Sequence, residues 1–360
     1  MMRYELSPKN TVIVRGPASI TLVGGQATIL GAPFAPPQTK IIGRHKQSPI
    51  ETESDAELEI SFGETGEMFE VQGSTIPTSW RLASEALEQM VEGEVVIVGP
   101  PDVGKSTLCT YLVNKLLRTG RNLCVIDADI GQTDMGPPTT IARAVPTHPI
   151  TSLQELMPDR RLFIGHISPS SVEQKLISCI RRLSANREKL LTIINTDGWV
   201  MDIDAVLYKI KLLTQIQPDL VLGLATSNQL EPILDGIRFH SMKLAAAKNI
   251  LERSRVDRRT IRSEAYRRFL EGGAIRRISL ENIQLSFPPG FPGVSRVDRR
   301  ALSNLILGIL DYEGYLAQIG ILIDIEDDVA TIYTKHSGAP RNIEVGYVKI
   351  STSDNEIGFL

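Results

Sequence analysis

The spacing of apolar and polar residues changes twice along the chain. Residues 1–78 carry short alternating apolar runs between glycines, for example at 11–16 and 57–63. Alternation with a period of two, interrupted by Gly and Pro, is typical of strands joined by tight turns. The pattern predicts a small N-terminal β domain over residues 1–78.

A second texture begins at residue 79 with a helical segment, whose apolar residues recur at Leu82, Ala86, Leu87 and Met90. From residue 94 onward, continuous apolar runs alternate with longer amphipathic stretches. This alternation is typical of a mostly parallel sheet covered by helices on both faces. We predict an α/β domain over residues 79–271 and, where strand-like alternation returns, a β-rich C-terminal domain over residues 272–360.

The amino-acid composition excludes only a few classes of protein. The 360 residues carry a formal net charge of -3 at pH 7, so any basic surface for nucleic acid has to be local. The three cysteines, Cys109, Cys124 and Cys179, are odd in number and widely spaced and have no histidine at ligand distance, which argues against a zinc site or a disulfide framework. No secretion signal opens the chain, and no run approaches the ~20 apolar residues that cross a bilayer. We therefore expect a soluble, reduced protein of the cytoplasm.

The segment GPPDVGKST at 99–107 has the character of a phosphate-binding loop. It fits GxxxxGK[ST] and lies between an apolar strand and the start of a helix, the context that this motif requires. Glycines let backbone N–H groups surround phosphate oxygens, and the helix N-terminus adds partial positive charge. The alternative is a Gly-rich turn followed by a helix-capping serine.

In the phosphate-loop interpretation, Lys105 reaches the β and γ phosphates, Ser106 completes the shell of a Mg²⁺ ion and Thr107 contacts the α-phosphate. The predicted nucleotide-binding residues are Gly99, Pro100, Pro101, Asp102, Val103, Gly104, Lys105, Ser106 and Thr107. A nucleoside triphosphate and Mg²⁺ are the cofactors that the motif implies.

Two carboxylates follow the next predicted strand, in the segment VIDADIGQTD. Asp127 and Asp129 lie at the carboxyl end of that strand, where an α/β sheet presents its ligands. Residues two apart in an extended chain face the same side, and Mg²⁺ prefers carboxylate oxygens. We predict that both carboxylates join Ser106 at the metal; helix capping or solvation is the alternative for each. These features indicate an ATPase or GTPase and leave the phosphate acceptor open.

Four further segments follow the phosphate loop in order: DADIGQ (127–132), FIGHISPSS (163–171), NTDGW (195–199) and an arginine-dense run at 253–270. In content and order they resemble the polynucleotide 5′-hydroxyl kinase family, which includes the RNA kinase subunit of the eukaryotic mRNA cleavage factor and the nucleolar pre-rRNA processing kinase. The resemblance covers nearly the whole chain, and the opening segment is similar to the family's N-terminal β domain. It implies an α/β P-loop NTPase domain with a mostly parallel sheet, flanked by small N-terminal and C-terminal β-rich domains.

The resemblance also implies roles for individual residues. Asp129 resembles the residue that orients the metal and assists deprotonation of the 5′-hydroxyl, with Gln132 close by. Ser168, before the proline of HISP, is similar to the clasp that holds the acceptor end. Trp199 resembles the aromatic residue on which the first base stacks, and Thr196 would line that site.

Two of these residues have ordinary structural alternatives. Trp199 follows an apolar strand, and composition alone favours a core or turn tryptophan at such a position. As a stacking platform it would contribute ~1 to 3 kcal/mol without selecting a base. Ser168 could instead cap a helix that has Pro169 in its first turn.

The arginine-dense run is expected to form a lid over the phosphates. The resemblance implies an Arg-x-x-x-Arg pair, which Arg255 and Arg259 fit; Arg258 and Arg262 have the same spacing. Charge stabilisation is the main contribution that a protein makes to phosphoryl transfer, so we assign catalysis to Lys105 and this arginine pair. A solvated helix with partial salt bridges is the alternative.

The expected activity is therefore transfer of the γ-phosphate of ATP to the 5′-hydroxyl end of RNA or DNA, with possible RNA-processing proteins as partners and no membrane. An ATP-binding scaffold with little activity is one alternative. A partitioning or metal-insertion ATPase is another, and it predicts that ATP turnover is indifferent to polynucleotide and to Trp199→Ala. Preference between RNA and DNA depends on contacts to the 2′-hydroxyl, which no motif here discloses.

Overall fold

The computed structural model of the protein describes residues 1–185, 190–281, 283–288, 302–338, 340–351 and 356–359. The chain divides into two compact units. The first consists of Met1–Val125, Val145–Leu156 and Arg187–Ser254, and the second consists of Ile126–Ala144, Met157–Asn186 and Arg255–Leu360. This division by compactness does not follow boundaries at residues 78 and 271, and the three-domain division stays a prediction.

The helices of the described residues are α1 (Thr78–Glu88), α2 (Lys105–Arg118), α3 (Glu173–Ser184), α4 (Ile203–Ile216), α5 (Glu231–Leu234) and α6 (Arg255–Leu270). The strands up to the phosphate loop are β1 (Met2–Leu6), β2 (Asn10–Arg15), β3 (Ala18–Gly24), β4 (Ala27–Ile29), β5 (Ala32–Phe34), β6 (Thr39–Ile42), β7 (Gln47–Glu51), β8 (Ala56–Phe62), β9 (Glu67–Gln72) and β10 (Gly93–Val98). The later strands are β11 (Leu123–Ala128), β12 (Thr140–Ala144), β13 (Arg160–Phe163), β14 (Leu191–Thr196), β15 (Leu220–Ala225), β16 (Ser241–Ala245), β17 (Ala274–Ser279), β18 (Gln284–Ser286), β19 (Leu305–Leu310), β20 (Leu316–Glu326), β21 (Val329–Thr334), β22 (Asn342–Ile350) and β23 (Glu356–Phe359).

In the first unit, strands β1 to β9 form two sheets before the phosphate loop. One has the order β1-β8-β3-β6 and the other β5-β4-β7-β2-β9. Alternate residues of β3 are buried, with Ile20 and Leu22 fully inaccessible, because successive side chains of a strand point to opposite faces. These sheets also contact α2, where the Asn114 side chain donates to the Leu30 carbonyl at 2.9 Å.

The rest of the first unit is built on parallel strands in the order β14-β10-β15-β16. Residues 94–98 of β10 and all residues of β14 are buried, as expected for strands covered on both faces. The alternation of apolar strands with amphipathic helices that the sequence predicts is confirmed here, and its helices include Lys105–Arg118 and Ile203–Ile216. The phosphate loop therefore extends from the carboxyl end of a fully buried strand.

In the second unit, the antiparallel pair β12 and β13 and helix α3 accompany a C-terminal sheet of order β17-β21-β20-β19-β22-β18, with β23 paired to β22. Helix α6 belongs to this unit, and its last two turns bury Tyr266 and Leu270 beside Ile306 and Ile319 of the sheet. The predicted lid helix is thus fastened at its C-terminal half by the hydrophobic effect, while Arg255 lies exposed at its first turn.

No helix within the described residues combines the length and apolar character needed to span a bilayer.

Candidate active site

The phosphate loop of the first unit has the backbone geometry of an anion cradle. Gly104 adopts a left-handed conformation with φ 100° immediately before α2, which costs a glycine no steric energy. A Cβ on Gly99 would lie 2.4 Å from the Leu224 carbonyl oxygen, so only glycine fits there. The two glycines of the motif are thus required by the fold of the loop itself.

Helix α2 begins inside this loop without a side-chain cap. The first N–H groups of a helix have no intrahelical acceptor, and together with the helix dipole they favour an anion. Lys105 is the first residue of α2, and its buried ammonium group donates to the carbonyls of Gly99 and Pro100 at 2.9 and 2.8 Å. A phosphate in the loop would offer this ammonium a charged, stronger acceptor.

Asp102 and Arg253 hold the outer side of the loop. Asp102 has a positive φ of 62°, and its carboxylate accepts the backbone N–H of Arg253 at 3.1 Å. The guanidinium of Arg253 lies 3.5 Å from the same carboxylate and donates to the His45 carbonyl at 3.1 Å. No local pattern around Arg253 indicates this anchor, because its partners lie more than one hundred residues away in the sequence.

The NTDGW segment packs directly against the phosphate loop. Asn195 donates to the Ser106 hydroxyl at 3.2 Å. A Cβ on Gly198 would lie 2.8 Å from the backbone nitrogen of Pro101, so this glycine permits close contact of the two segments. Thr196 is fully buried and donates to the Ile97 carbonyl at 2.7 Å. Its hydroxyl supports β10, in contrast to the substrate-lining role that the resemblance implies.

Trp199 is partly exposed at the end of this segment and is oriented by three contacts. Its ring stacks on Tyr208, with centroids 5.6 Å apart and planes at 25°. The indole Nε1 donates to Asp202 at 2.7 Å, and the backbone N–H donates to Asp197 at 3.0 Å. The tryptophan therefore is not a core residue, and its orientation suits a surface platform for a flat ligand.

A buried ion pair lies beneath Trp199. Lys209 is fully inaccessible, and its ammonium lies 2.9 Å from the Asp197 carboxylate. The hydroxyl of Tyr208 donates to the same carboxylate oxygen at 2.9 Å. The sequence does not indicate this pair, because a lysine in the middle of a helix ordinarily faces solvent. The pair joins helix α4 to the segment that carries Trp199.

Replacing Lys209 with methionine is expected to cost about 3 to 5 kcal/mol of unfolding free energy, because Asp197 would be left buried without its cation. Urea denaturation would measure this. Lys243→Met is the matched control, because Lys243 forms an exposed ion pair with Glu231, and such pairs contribute less than about 1 kcal/mol. Equal losses in the two variants would refute a stabilising role for the buried pair.

In the second unit, Asp127 is a buried, loop-organising carboxylate. Its Oδ2 accepts the Thr133 hydroxyl at 2.8 Å and the backbone N–H groups of Asp134 and Met135 at 2.7 and 3.2 Å. Burial, followed by the charges of Asp134 and Asp129, raises the pKa of Asp127 to about 7. This environment favours a role in shaping the loop at 133–135 over the direct metal contact that the sequence predicts.

The raised pKa of Asp127 predicts a dependence of stability on pH. Between its ordinary pKa of 3.8 and about 7, the unfolded chain has lost the proton that the native protein still holds. The free energy of unfolding therefore falls as pH rises through this window, by on the order of 4 kcal/mol, and levels off above it. Urea titrations across this range should show the decline in the wild type relative to Asp127→Asn. Parallel profiles of the two proteins would contradict it.

Asp129 lies just beyond the strand, partly exposed, in a tight turn of its own. Its Oδ1 accepts the N–H groups of Gly131 and Gln132 at 3.2 and 3.0 Å. The Gln132 side chain reaches the Arg258 carbonyl of α6 at 3.5 Å, and a Cβ on Gly131 would lie 2.7 Å from the Ile167 carbonyl oxygen. Within this unit, the DADIGQ segment thus meets both the HISP segment and the arginine helix.

Ser168 precedes a short 3-10 helix, Pro169–Ser171, but its side chain does not cap that helix. The Ser168 hydroxyl instead lies 3.0 Å from the Ser170 hydroxyl. His166 accepts the Ser168 N–H on Nδ1 at 2.9 Å, and burial lowers the pKa of His166, which favours the neutral ring that can accept. The capping alternative is therefore wrong, and the Ser168 side chain is partly exposed.

The C-terminal sheet supports this serine segment. Tyr347 of β22 donates its N–H to the Gly165 carbonyl at 2.8 Å, and its ring meets the His166 ring edge-on at 5.2 Å. A Cβ on Gly346 would lie 2.7 Å from the Gly165 carbonyl oxygen. A strand of the C-terminal sheet thus contacts the segment that immediately precedes Ser168.

The two candidate arginine pairs of α6 differ in their surroundings. Arg255 and Arg259 are exposed, whereas Arg258 and Arg262 are partly buried. A phosphate-binding side chain has to reach a ligand, which favours Arg255 and Arg259. The register of the pair stays a prediction.

Each unit offers one oxygen donor of the kind that a magnesium ion bound mainly through its substrate would take. Among the described residues, no cluster of three or more His, Cys, Asp or Glu side chains could hold a metal. Mg²⁺ commonly takes one or two protein oxygens and fills its shell with phosphate and water. The Ser106 hydroxyl and the Asp129 carboxylate are oxygen donors of this kind, both partly exposed.

Comparison with known proteins identifies the relatives of this chain. Residues 99–272 match the family model described as mRNA cleavage and polyadenylation factor CLP1 P-loop. A polyribonucleotide 5′-hydroxyl-kinase of Pyrococcus furiosus is 29% identical over 321 residues, which cover 74% of this chain and 90% of that protein. One of Methanocaldococcus jannaschii is 24% identical over 324 residues, with 74% and 90% covered. The resemblance predicted from the sequence is confirmed.

A solved structure shares the fold. The Clp1p chain of a wild-type Clp1p–Pcf11p complex superposes with a TM-score of 0.73 over 97% of this chain and 98% of that one, at 13% identity. The predicted α/β P-loop fold with β-rich flanks is thereby confirmed over nearly the full length, and the P-loop family implies the use of ATP.

Proposed function

Because residues 99–272 match the model of the CLP1 P-loop family, we propose that this protein is an ATP-dependent polynucleotide kinase that phosphorylates the 5′-hydroxyl end of RNA. Two of the archaeal relatives that match most of the chain carry the name polyribonucleotide 5′-hydroxyl-kinase. The residues that such a reaction requires are all present in the chain. DNA ends are a secondary acceptor in this proposal.

One observation carries the proposal beyond a generic ATPase. The segment that bears Trp199 packs directly on the phosphate loop. Gly198 contacts Pro101, and the Asn195 side chain donates a hydrogen bond to the Ser106 hydroxyl. An ATPase that acts on water has no use for an oriented, partly exposed indole beside its phosphate loop. A flat base stacked there would gain ~1 to 3 kcal/mol.

In the proposed reaction, the 5′-hydroxyl oxygen forms a bond to the γ-phosphorus and the bond to the β-phosphate oxygen breaks, releasing ADP. Asp129 accepts the hydroxyl proton, and Ser168 and Gln132 hold the acceptor end. Lys105, Arg255 and Arg259 stabilise the charge of the transferring group, which is where a protein contributes most to phosphoryl transfer.

Ser106 and Asp129 would hold a magnesium ion, which would neutralise charge on the phosphates. Asp127 would then act by fixing the loop that follows it. Tyr208, Asp197 and Lys209 keep Trp199 in its orientation. The remaining contacts of the phosphate loop come from its own N–H groups and the Thr107 hydroxyl.

Protein partners are also part of the proposal. The structural neighbour was solved in complex with Pcf11p, and we infer that an RNA-processing protein is a partner of this chain. Such a partner would be compatible with kinase activity or, in the alternative, with an ATP-bound scaffold.

The test is transfer of label from γ-labelled ATP to a 5′-hydroxyl oligoribonucleotide, compared with its 5′-phosphorylated form as the negative control. We expect label on the hydroxyl strand alone, and a KM for RNA that rises about 5- to 100-fold in Trp199→Ala and much less in Trp199→Phe. ATP binding without transfer would indicate the scaffold. ATP turnover indifferent to RNA and to Trp199→Ala would indicate a partitioning or metal-insertion ATPase.

A further inference from the structure

A hairpin turn of the C-terminal sheet presents two tyrosines in a rigid setting. The turn joins β19 to β20 at residues 311–315. The Asp311 carboxylate accepts the backbone N–H groups of Glu313 and Tyr315, both at 2.9 Å, and Gly314 takes the positive φ of 76° that closes the turn. Because Asp311 is bonded to its own turn, the hairpin is pre-organised and the positions of its two rings are defined.

Tyr315 makes cation–π contacts with two arginines from other elements of the same unit. The guanidinium carbon of Arg160, from β13, lies 4.6 Å from the ring centroid, and that of Arg182, from α3, lies 4.4 Å from it. Cations over an aromatic face gain about 0.5 to 1 kcal/mol each at exposed sites. The ring therefore holds together two like charges that would otherwise separate.

Tyr312, at the tip of the hairpin, is 78% exposed. The guanidinium carbon of Arg341, which immediately precedes β22, lies 4.6 Å from its ring centroid. A tyrosine this exposed buries little apolar area of its own, so most of its ring is accessible to a ligand. We name the surface made by Arg160, Arg182, Tyr312, Tyr315 and Arg341 the hairpin patch.

The charge of the hairpin patch contrasts with that of the chain. The whole protein has a formal charge of -3, yet the patch contains three arginines; Glu313 pairs with one of them, and Asp311 is bonded within its own turn. Arg160 lies 3.8 Å from Glu313, with side chains 41% and 66% exposed, a pairing that solvent weakens. Arg182 also donates to the Glu313 carbonyl. A phosphate would offer these guanidinium groups a charged and therefore stronger acceptor.

We propose that the hairpin patch binds the body of a single-stranded RNA acceptor, an inference that rests on the proposed function. The arginines would contact backbone phosphates, and a base would stack on the exposed Tyr312 ring. Interleaved guanidinium groups and aromatic rings are the chemistry by which proteins hold single strands without reading their sequence. An acidic peptide could satisfy the arginines but offers no flat partner to Tyr312.

The first test measures binding of a labelled oligoribonucleotide of about 20 nucleotides, longer than one usual single-strand site, to the full chain. For Arg182→Gln with Arg341→Gln, we expect the Kd to rise about 10-fold and the slope of log Kd against log salt to fall by about 1.4, or about 0.7 per lost phosphate contact. The control is Arg3→Gln with Lys243→Gln, which removes the same charge from exposed ion pairs and should leave both quantities unchanged.

The second test separates stacking from charge. Tyr312→Ala is expected to weaken binding of the long strand about 5-fold, whereas Tyr312→Phe, which keeps the ring, should bind like the wild type. With the long strand as acceptor, the KM should rise in the variants at unchanged kcat. With an acceptor of about two nucleotides, the KM should stay at the wild-type value.

The outcomes distinguish this inference from the proposed function. If the wild type transfers phosphate but the patch variants bind the long strand as the control does, the inference is wrong and the kinase stands. If the variants lose binding but no protein transfers phosphate, the kinase is wrong and the RNA surface stands. Loss of binding to an oligoglutamate peptide, with RNA binding intact, would assign the patch to an acidic protein and overturn the inference.

Discussion

Lys105→Met is expected to lower the rate of phosphoryl transfer at least about 10³-fold. The ammonium group is buried at the start of α2 and held by two carbonyls of its own loop, so no other part of the loop can supply its charge. Methionine keeps the length and the apolar stem but removes the cation. The rate of label transfer at saturating ATP and RNA measures the effect.

Lys115→Met, in the last turn of the same helix, is the matched control and should retain wild-type activity. ATP binding by Lys105→Met should be weakened rather than lost, because the N–H groups of the loop remain. A rate within about 10-fold of the wild type would show that Lys105 does not contact the transferring phosphate.

Replacing both Arg255 and Arg259 with alanine is expected to lower the transfer rate about 10³- to 10⁵-fold, with ATP and RNA affinities less affected. Arginines that meet the transferring phosphoryl group act mainly in the transition state, where its charge is redistributed. Single-turnover transfer of label, compared with equilibrium binding of nucleotide and RNA, separates the two effects.

The double variant Arg258→Ala with Arg262→Ala decides the register of the pair. These side chains are partly buried on the same helix, so their loss should change the unfolding midpoint more than the transfer rate. The reverse result, a collapse of rate in this variant and near-normal rates without Arg255 and Arg259, would assign catalysis to the other pair.

The predictions from sequence succeeded for features whose physical cause lies in a short contiguous stretch of residues. The run of buried residues in β10, the glycine before α2 and the end of that helix at Arg118 all follow from neighbouring residues. The confirmed resemblance likewise rests on short segments in a fixed order. Such features can be predicted because backbone conformation and hydrophobic periodicity are local properties of the sequence.

The predictions fell short where burial and distant partners decide a side chain's role. Thr196 lies inside the sheet and Asp127 is enclosed by the loop after it, surroundings that the sequence does not show. Their contacts with a ligand stay predictions. The burial of Lys209 was not predicted, because its partner Asp197 comes close to it only when the chain folds. Ser168 stands at a helix start and does not cap it.

By itself, the sequence determined that this protein has a phosphate loop at 99–107, buried strands alternating with helices, and an arginine-dense helix. Only the tertiary structure decided that this helix is fastened to the C-terminal sheet by Tyr266 and Leu270, and that a hairpin of that sheet gathers arginines around two tyrosines. The physical reason is that local conformation depends on neighbours in the chain. Burial, ion pairing and ring contacts depend instead on residues that folding brings together from far apart.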